Sequence, residues 1–261
     1  MFVSVNDHNL HVALHGSKQA PALVLLHSLG TSHDVWQEQA RAFSASHYVI
    51  CPDFRGHGLS DVSRSPVTVE ALAEDIVALL RELGVEQFHL AGISIGGMVA
   101  QCVAATMPEQ VWTLTIFDSS IESLAPQMWQ GRAAKIRADG LASIASGVLA
   151  RWITPDAVET PHGRGLATML ARMSSEGYAA GCDALAIADC RGCAASLVMP
   201  VTIAVGELDE ATPPAASKAL ADAIAGSRFT TIPDAAHIPL FEQAAAVNQI
   251  LAQSVERAEA S

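Results

Sequence analysis

The sequence predicts an α/β protein, a mostly parallel, doubly wound sheet with a helical lid inserted into it, and three observations carry that reading. Short, continuously apolar runs alternate with stretches whose apolar residues recur every three or four positions, as expected when helices cover both faces of a parallel sheet. One strand-to-helix junction is compressed into Gly92-Ile93-Ser94-Ile95-Gly96. Between Ser119 and about Ser196 the alternation stops, no β-branched run occurs, and helical pattern takes over before the strands resume. The 261 residues therefore divide into a core of residues 1–118 and 197–261 and a helical cap of 119–196, a size normal for one domain with an insertion.

The elements follow in order. Val3, Val5, Leu10, Val12 and Leu14 alternate around Asn6-Asp7-His8-Asn9, a hairpin signal at a sheet edge. Ala22-Leu23-Val24-Leu25-Leu26 reads as a buried strand ending in the small-residue loop His27-Ser28-Leu29-Gly30-Thr31-Ser32, with a helix from near Asp34. Tyr48-Val49-Ile50-Cys51 is a second buried strand, and residues 52–60 form a loop with two glycines. A helix begins at Thr68, places Val69, Leu72, Ile76, Leu79, Leu80 and Leu83 on one face, and stops at Gly84. The compressed junction lies in residues 86–107, and residues 111–118 form the next strand. In the cap, loops are expected at Thr154-Pro155 and Pro161-His162-Gly163. Residues 199–206 and 228–232 are the last strands, and the final helix starts near Leu240.

Composition narrows the partners. Fifteen Lys and Arg against 27 Asp and Glu give a net charge of −12, which repels nucleic acid and anionic lipid, so neither is an expected partner. No apolar run reaches the ~18 residues of a membrane span, and the N-terminus lacks a basic and apolar leader pattern, so a soluble, cytoplasmic protein is expected. Five cysteines fit reduced thiols, and Cys190-Arg191-Gly192-Cys193 lacks the second pair of a zinc site. No HExxH, P-loop or strand-linked GxGxxG occurs, so neither metal nor cofactor is expected and the partner is a small-molecule substrate. The sequence says nothing of oligomeric state.

The chemistry points to Ser94. A serine hydroxyl is a poor nucleophile near neutral pH and needs a base in reach and a group to orient that base. Asp209 follows the penultimate strand and His237 the last, so all three residues leave the carboxyl ends of strands and converge on one sheet edge. Asp209 is the expected acid, with Glu207, Glu210 and Asp118 as alternatives. Backbone N–H groups of Leu29 and Ile95 are the expected oxyanion donors. The cap holds seven of the basic residues and seven acidic ones, which leaves the net negative charge to the core. Its Arg132, Arg137, Arg151 and Arg191, with Trp129 and Trp152, are therefore candidate contacts for an anionic substrate.

In its setting the Gly-Ile-Ser-Ile-Gly junction resembles the nucleophile elbow of the α/β-hydrolases, and the order Ser94, Asp209, His237 is that of the superfamily. Further segments resemble the 3-oxoadipate enol-lactonase branch: Ser28-Leu29-Gly30-Thr31 with Trp36, Arg55-Gly56-His57-Gly58, and Gly177-Tyr178-Ala179-Ala180-Gly181-Cys182 continuing to Ala188-Asp189-Cys190-Arg191. The resemblance implies the α/β-hydrolase fold and hydrolysis of a small carboxylate-bearing enol-lactone in aromatic catabolism through Ser94, Asp209 and His237. A general esterase or a carbon-carbon bond hydrolase on the same residues, and a ligand sensor that does not turn over, remain open at this point.

Overall fold

A computed structural model describes residues 1–63 and 65–259. The hairpin forms as its alternation requires: β1 (Phe2–Val5) pairs antiparallel with β2 (His8–His15) around Asn6, whose φ is 50°. The apolar runs become β3 (Ala22–Leu26) and β4 (Tyr48–Pro52), buried at every position. Between them a 3-10 turn, His33–Trp36, leads into α1 (Gln37–Phe43). The helix α2 (Val69–Leu83) starts where the Thr68 hydroxyl accepts from the Ala71 N–H at 3.1 Å, and it stops at Gly84, left-handed at φ 69°.

Next come β5 (Phe88–Ile93), α3 (Ile95–Thr106) and β6 (Val111–Phe117). The helices α4 (Pro126–Asp139), α5 (Ala145–Trp152), α6 (Pro161–Arg172), α7 (Ser175–Ile187) and α8 (Arg191–Ala195) then intervene before the sheet resumes. It closes with β7 (Val201–Gly206), α9 (Pro214–Ala223), β8 (Arg228–Ile232), α10 (Pro239–Glu242) and α11 (Ala244–Glu259). One expectation fails here: Pro161-His162-Gly163 is the first turn of α6 rather than a loop. Pro161 needs no donor at a helix start, and the Thr160 hydroxyl caps the Gly163 N–H at 3.1 Å.

The eight strands lie in the order β1-β2-β4-β3-β5-β6-β7-β8, with β1–β2 and β2–β4 antiparallel and the remaining pairs parallel. The chain steps from β3 outward to β4 and returns to β5 on the other side of β3. The turns leaving β3 and β5 therefore part at their carboxyl ends, which opens a crevice at that edge.

Two contacts fix the loops around this crevice. Arg55, after β4, forms a buried two-point ion pair with Asp75 of α2, both hydrogen bonds at 2.6 Å. Loss of either partner would strand a buried charge at a cost of about 3–5 kcal/mol. Above it, α7 rests on the same loop backbone to backbone: a Cβ on Gly177 would lie 2.0 Å from the Gly56 carbonyl oxygen. Among the described residues, no helix is long and apolar enough to cross a membrane.

Candidate active site

Ser94 sits between β5 and α3 with φ 58° and ψ −123°, a conformation that costs a non-glycine residue on the order of 1–3 kcal/mol. The surrounding glycines make the turn possible. A Cβ on Gly92 would meet the Gly96 carbonyl oxygen at 2.2 Å, and one on Gly96 would meet the Leu26 oxygen at 2.4 Å. Hydrogen bonds hold the strained unit in place: the Ser94 N–H donates to the Phe117 carbonyl at 3.0 Å, and the Ser119 hydroxyl donates to the Ser94 carbonyl at 2.7 Å. This conformation leaves the side chain half-buried at the carboxyl edge of the sheet.

The loop after β7 brings Asp209 to the loop after β8. Asp209 is buried; its Oδ1 accepts from the N–H groups of Ala211 and Thr212 at 2.7 and 2.9 Å, and its Oδ2 accepts from His237 Nδ1 at 2.8 Å. A carboxylate can only accept, so Nδ1 carries a proton, and in the neutral ring this leaves the lone pair on Nε2. The residue after the histidine is tied to the cap, Ile238 N–H donating to the Trp152 carbonyl at 2.8 Å. Glu207 and Glu210, the alternatives beside Asp209, do not hydrogen bond His237. Asp118 does lie close: one ligand atom from each of Asp118, Asp209 and His237 falls within 4.8 Å of the others.

Ser94 and His237 line one small cavity, about 50 Å³, together with Ser28, Leu29, Trp129, Arg132, Arg151, Trp152 and Tyr178. Leu29, the expected oxyanion donor on this loop, is thus among the residues that line the cavity with Ser94. Ile95 directly follows the serine as the first residue of α3, where an N–H has no acceptor within its own helix. Arg132 and Arg151 reach the cavity from α4 and α5, and neither pairs with a carboxylate among the described residues. The Arg132 guanidinium lies 4.6 Å from the centre of the Trp129 ring, and Arg151 Nη2 donates to the Glu210 carbonyl.

Arg137 and Arg191 correct the expectation. The first is 41% exposed and bonds Glu176 at 2.8 Å and Asp183 at 2.7 Å; the second is 63% exposed and bonds Asp189 at 2.6 Å. Neither lines the cavity, because carboxylates of the cap already hold them at its surface. Tyr178 was not expected there. It is buried, its phenol pushed up by burial, and the two glycines around it, Gly177 and Gly181, let α7 come close enough to place it. A larger hollow of about 530 Å³ lies elsewhere, around Thr154, His162 and Glu242, and includes neither Ser94 nor His237.

The loop after β3 is braced by His27, whose Nδ1–H donates to the Ser28 carbonyl at 2.8 Å while Nε2 accepts from the Phe54 N–H at 3.0 Å. That geometry requires a neutral ring, and burial pushes His27 down to about 4, His57 down to about 3 and His89 down to about 4. Each is protonated near 6.5 when unfolded, so above that pH they contribute no pH dependence. Below it, only the unfolded chain gains protons. His33 is the opposing case: burial acts against its charge, but the Asp53 hydrogen bond and charge raise it overall. Stability is therefore expected to fall as pH drops from about 6.5 toward 4, by about 2 kcal/mol per buried histidine near pH 5. Urea midpoints between pH 7 and pH 5 measure this, and an unchanged midpoint refutes it.

His11, His33 and Asp53 also bring potential ligand atoms within 4.8 Å. Both rings direct Nδ1 at Asp53, at 2.9 and 3.0 Å, and each carboxylate oxygen accepts a backbone N–H as well, from His33 and Leu59. The group is a saturated hydrogen-bond network joining β2 to the loops after β3 and β4. In the CxxC segment, Cys193 faces Cys102 of α3, sulfur to sulfur 2.9 Å, and all five cysteines are free.

Comparison with known proteins agrees with this architecture. A family model described as the alpha/beta hydrolase fold matches residues 21–142. The chain is 34% identical over 257 residues to 3-oxoadipate enol-lactonase 2 of Acinetobacter baylyi, covering 98% of this chain and 96% of that protein. The crystal structure of the enol-lactonase from Burkholderia xenovorans superposes with a TM-score of 0.94 at 32% identity, covering 98% of this chain and all of the other. A thermophilic esterase from Thermogutta terrifontis, solved with malate bound, gives 0.91 at 26% identity over 99% of this chain and 98% of its own. With near full-length likeness to lactonases and esterases on one topology, the chain belongs to the α/β-hydrolase superfamily.

Proposed function

We propose that this protein is a serine hydrolase that opens a small carboxylate-bearing lactone or ester through an acyl-Ser94 intermediate, with 3-oxoadipate enol-lactone, an intermediate of aromatic catabolism, as its substrate. One observation carries the reading: Ser94 and His237 share a cavity with two cap arginines, Arg132 and Arg151, that have no carboxylate partner among the described residues. A carboxylate on the substrate supplies that partner. The enol-lactonase relatives and the esterase solved with malate, a dicarboxylate, support the same choice.

In this mechanism Ser94 Oγ attacks the lactone carbonyl as its proton passes to His237 Nε2, and Asp209 stabilises the imidazolium formed. The N–H groups of Leu29 and Ile95 receive the negative oxygen; one such donor is worth roughly 3 kcal/mol. The ring C–O bond breaks, His237 returns the proton to the enol oxygen, and the enol relaxes to the ketone. Water, deprotonated by His237, then releases the acid and restores Ser94.

Ultraviolet-monitored loss of the enol-lactone by the purified protein, beside cleavage of a chromogenic short-chain ester, tests the reading. Fast loss of the lactone is the expected result. Ester cleavage without lactone loss would transfer the triad to a general carboxylesterase, the reading that the esterase likeness favours, and inactivity on both would leave the scaffold as a ligand sensor.

A further inference from the structure

A second carboxyl stands beside the acid of the proposed triad, and the reaction as written does not use it. Asp118 directly follows β6 and is fully buried, with φ 47°, a left-handed conformation that aspartate and asparagine tolerate better than most residues. Its backbone N–H donates to the Ala204 carbonyl at 2.9 Å, and its Oδ1 accepts from the Gly206 N–H at 2.8 Å. Its Oδ2 is buried and has no hydrogen-bond partner among the described residues. The charged and titratable groups around it come from three loops or helices: Asp209 after β7, His237 after β8, and Glu242 in α10.

An ionised Asp118 would leave Oδ2 as a buried anion with no donor, next to a second carboxylate, and each of these conditions opposes ionisation. Burial first, and the Asp209 charge second, hold its carboxyl well above the usual carboxylate range. A proton on Oδ2 removes both problems. Asp209 Oδ2 accepts one hydrogen bond, from His237, and a carboxylate oxygen has room for a second.

We propose that Asp118 is a positioning residue: a neutral acid whose Oδ2–H donates to the Asp209 carboxylate and sets its orientation toward His237, and which takes over as the orienting carboxylate when Asp209 is neutralised. The proposal rests on Ser94, His237 and Asp209 acting as the triad. In the resting protein the donated hydrogen bond draws charge from the Asp209 carboxylate that faces His237. When Asp209 becomes asparagine, the charge that adds to burial in opposing ionisation of Asp118 is gone, the asparagine amide can donate to the Asp118 carboxylate, and that carboxyl lies within 4.8 Å of a ring nitrogen of His237.

The test follows phosphonylation of Ser94 by an aryl fluorophosphonate, together with ester turnover, across pH. In triads with a single acid, asparagine at the acid position costs about 10⁴-fold. Here Asp209→Asn is expected to lose only about 10- to 100-fold, and Asp118→Asn combined with Asp209→Asn about 10⁴-fold. Asp118→Ala is expected to raise the pH midpoint of labelling, and Asp118→Asn, whose amide N–H replaces the acid O–H, to restore it. A merely structural Asp118 would move neither the midpoint nor the rescue. Carboxyl ¹³C NMR of the wild type supplies a measurement independent of any variant's folding: Asp118 is expected to be neutral at pH 7. An ionised Asp118, or Asp209→Asn as inactive as the double variant, overturns the proposal. A wild type that the fluorophosphonate does not label overturns the triad instead, and the NMR measurement still decides the proton.

Discussion

Ser94→Ala is expected to lower kcat on the enol-lactone by about 10⁵- to 10⁶-fold while leaving the melting temperature within a few degrees of the wild type. The loss is large because the substitution removes the only atom that would bond to the acyl carbon, and His237 cannot substitute for it. Stability is spared for a local reason. Alanine keeps a Cβ at φ 58°, so the strain is the same, and the bonds that hold the turn run through the Ser94 backbone, to Phe117 and from Ser119. Binding should survive, so the variant ought to retain the lactone unchanged and report its Kd by calorimetry. A residual rate above spontaneous hydrolysis is expected from the oxyanion donors alone. Activity within tenfold of the wild type would show that Ser94 is a loop serine.

The parts of this fold that were legible in the sequence are those set by local chemistry. Continuous apolar runs such as Ala22 to Leu26 have no stable place except a strand covered on both faces, and they are buried at every position. The glycines at 92 and 96 announced a junction where backbones meet, and the structure puts carbonyl oxygens where their side chains would be. Pairing across long separations was not legible. Arg137 looked as available as Arg132, and only the folded cap shows that Glu176 and Asp183, 39 and 46 residues away, occupy it. Tyr178 was hidden for a related reason, since its place depends on the contact of α7 with a loop more than a hundred residues earlier. Pro161 was misjudged locally: proline breaks a helix interior and suits a helix start, and Thr160 one residue earlier was the capping signal that separates the two.

Removing the cavity arginines should divide substrates by charge. A hydrogen bond to a charged group contributes about 1.5–3 kcal/mol, so Arg132→Met or Arg151→Met alone should lower kcat/KM on the carboxylate-bearing lactone about 10- to 100-fold. If both hold one carboxylate, their effects will not add fully, and the double variant should lose less than the product of the two single losses, about 30- to 10³-fold. Methionine is the right replacement because the Arg132 side chain reaches over the Trp129 ring with its guanidinium, and truncation to alanine would mix lost packing with lost charge. A neutral ester of similar size should change by less than about threefold in the same variants. Arg137→Met and Arg191→Met serve as controls, since both residues are paired at the surface of the cap, outside the cavity. How the loss divides reveals when the carboxylate is gripped: a rise in KM alone means equal hold on ground state and transition state, whereas a fall in kcat means the arginines act mainly as the ring opens. An unchanged KM and kcat on the lactone in the double variant would remove the carboxylate anchor and with it the main reason to prefer an acidic lactone over a neutral ester.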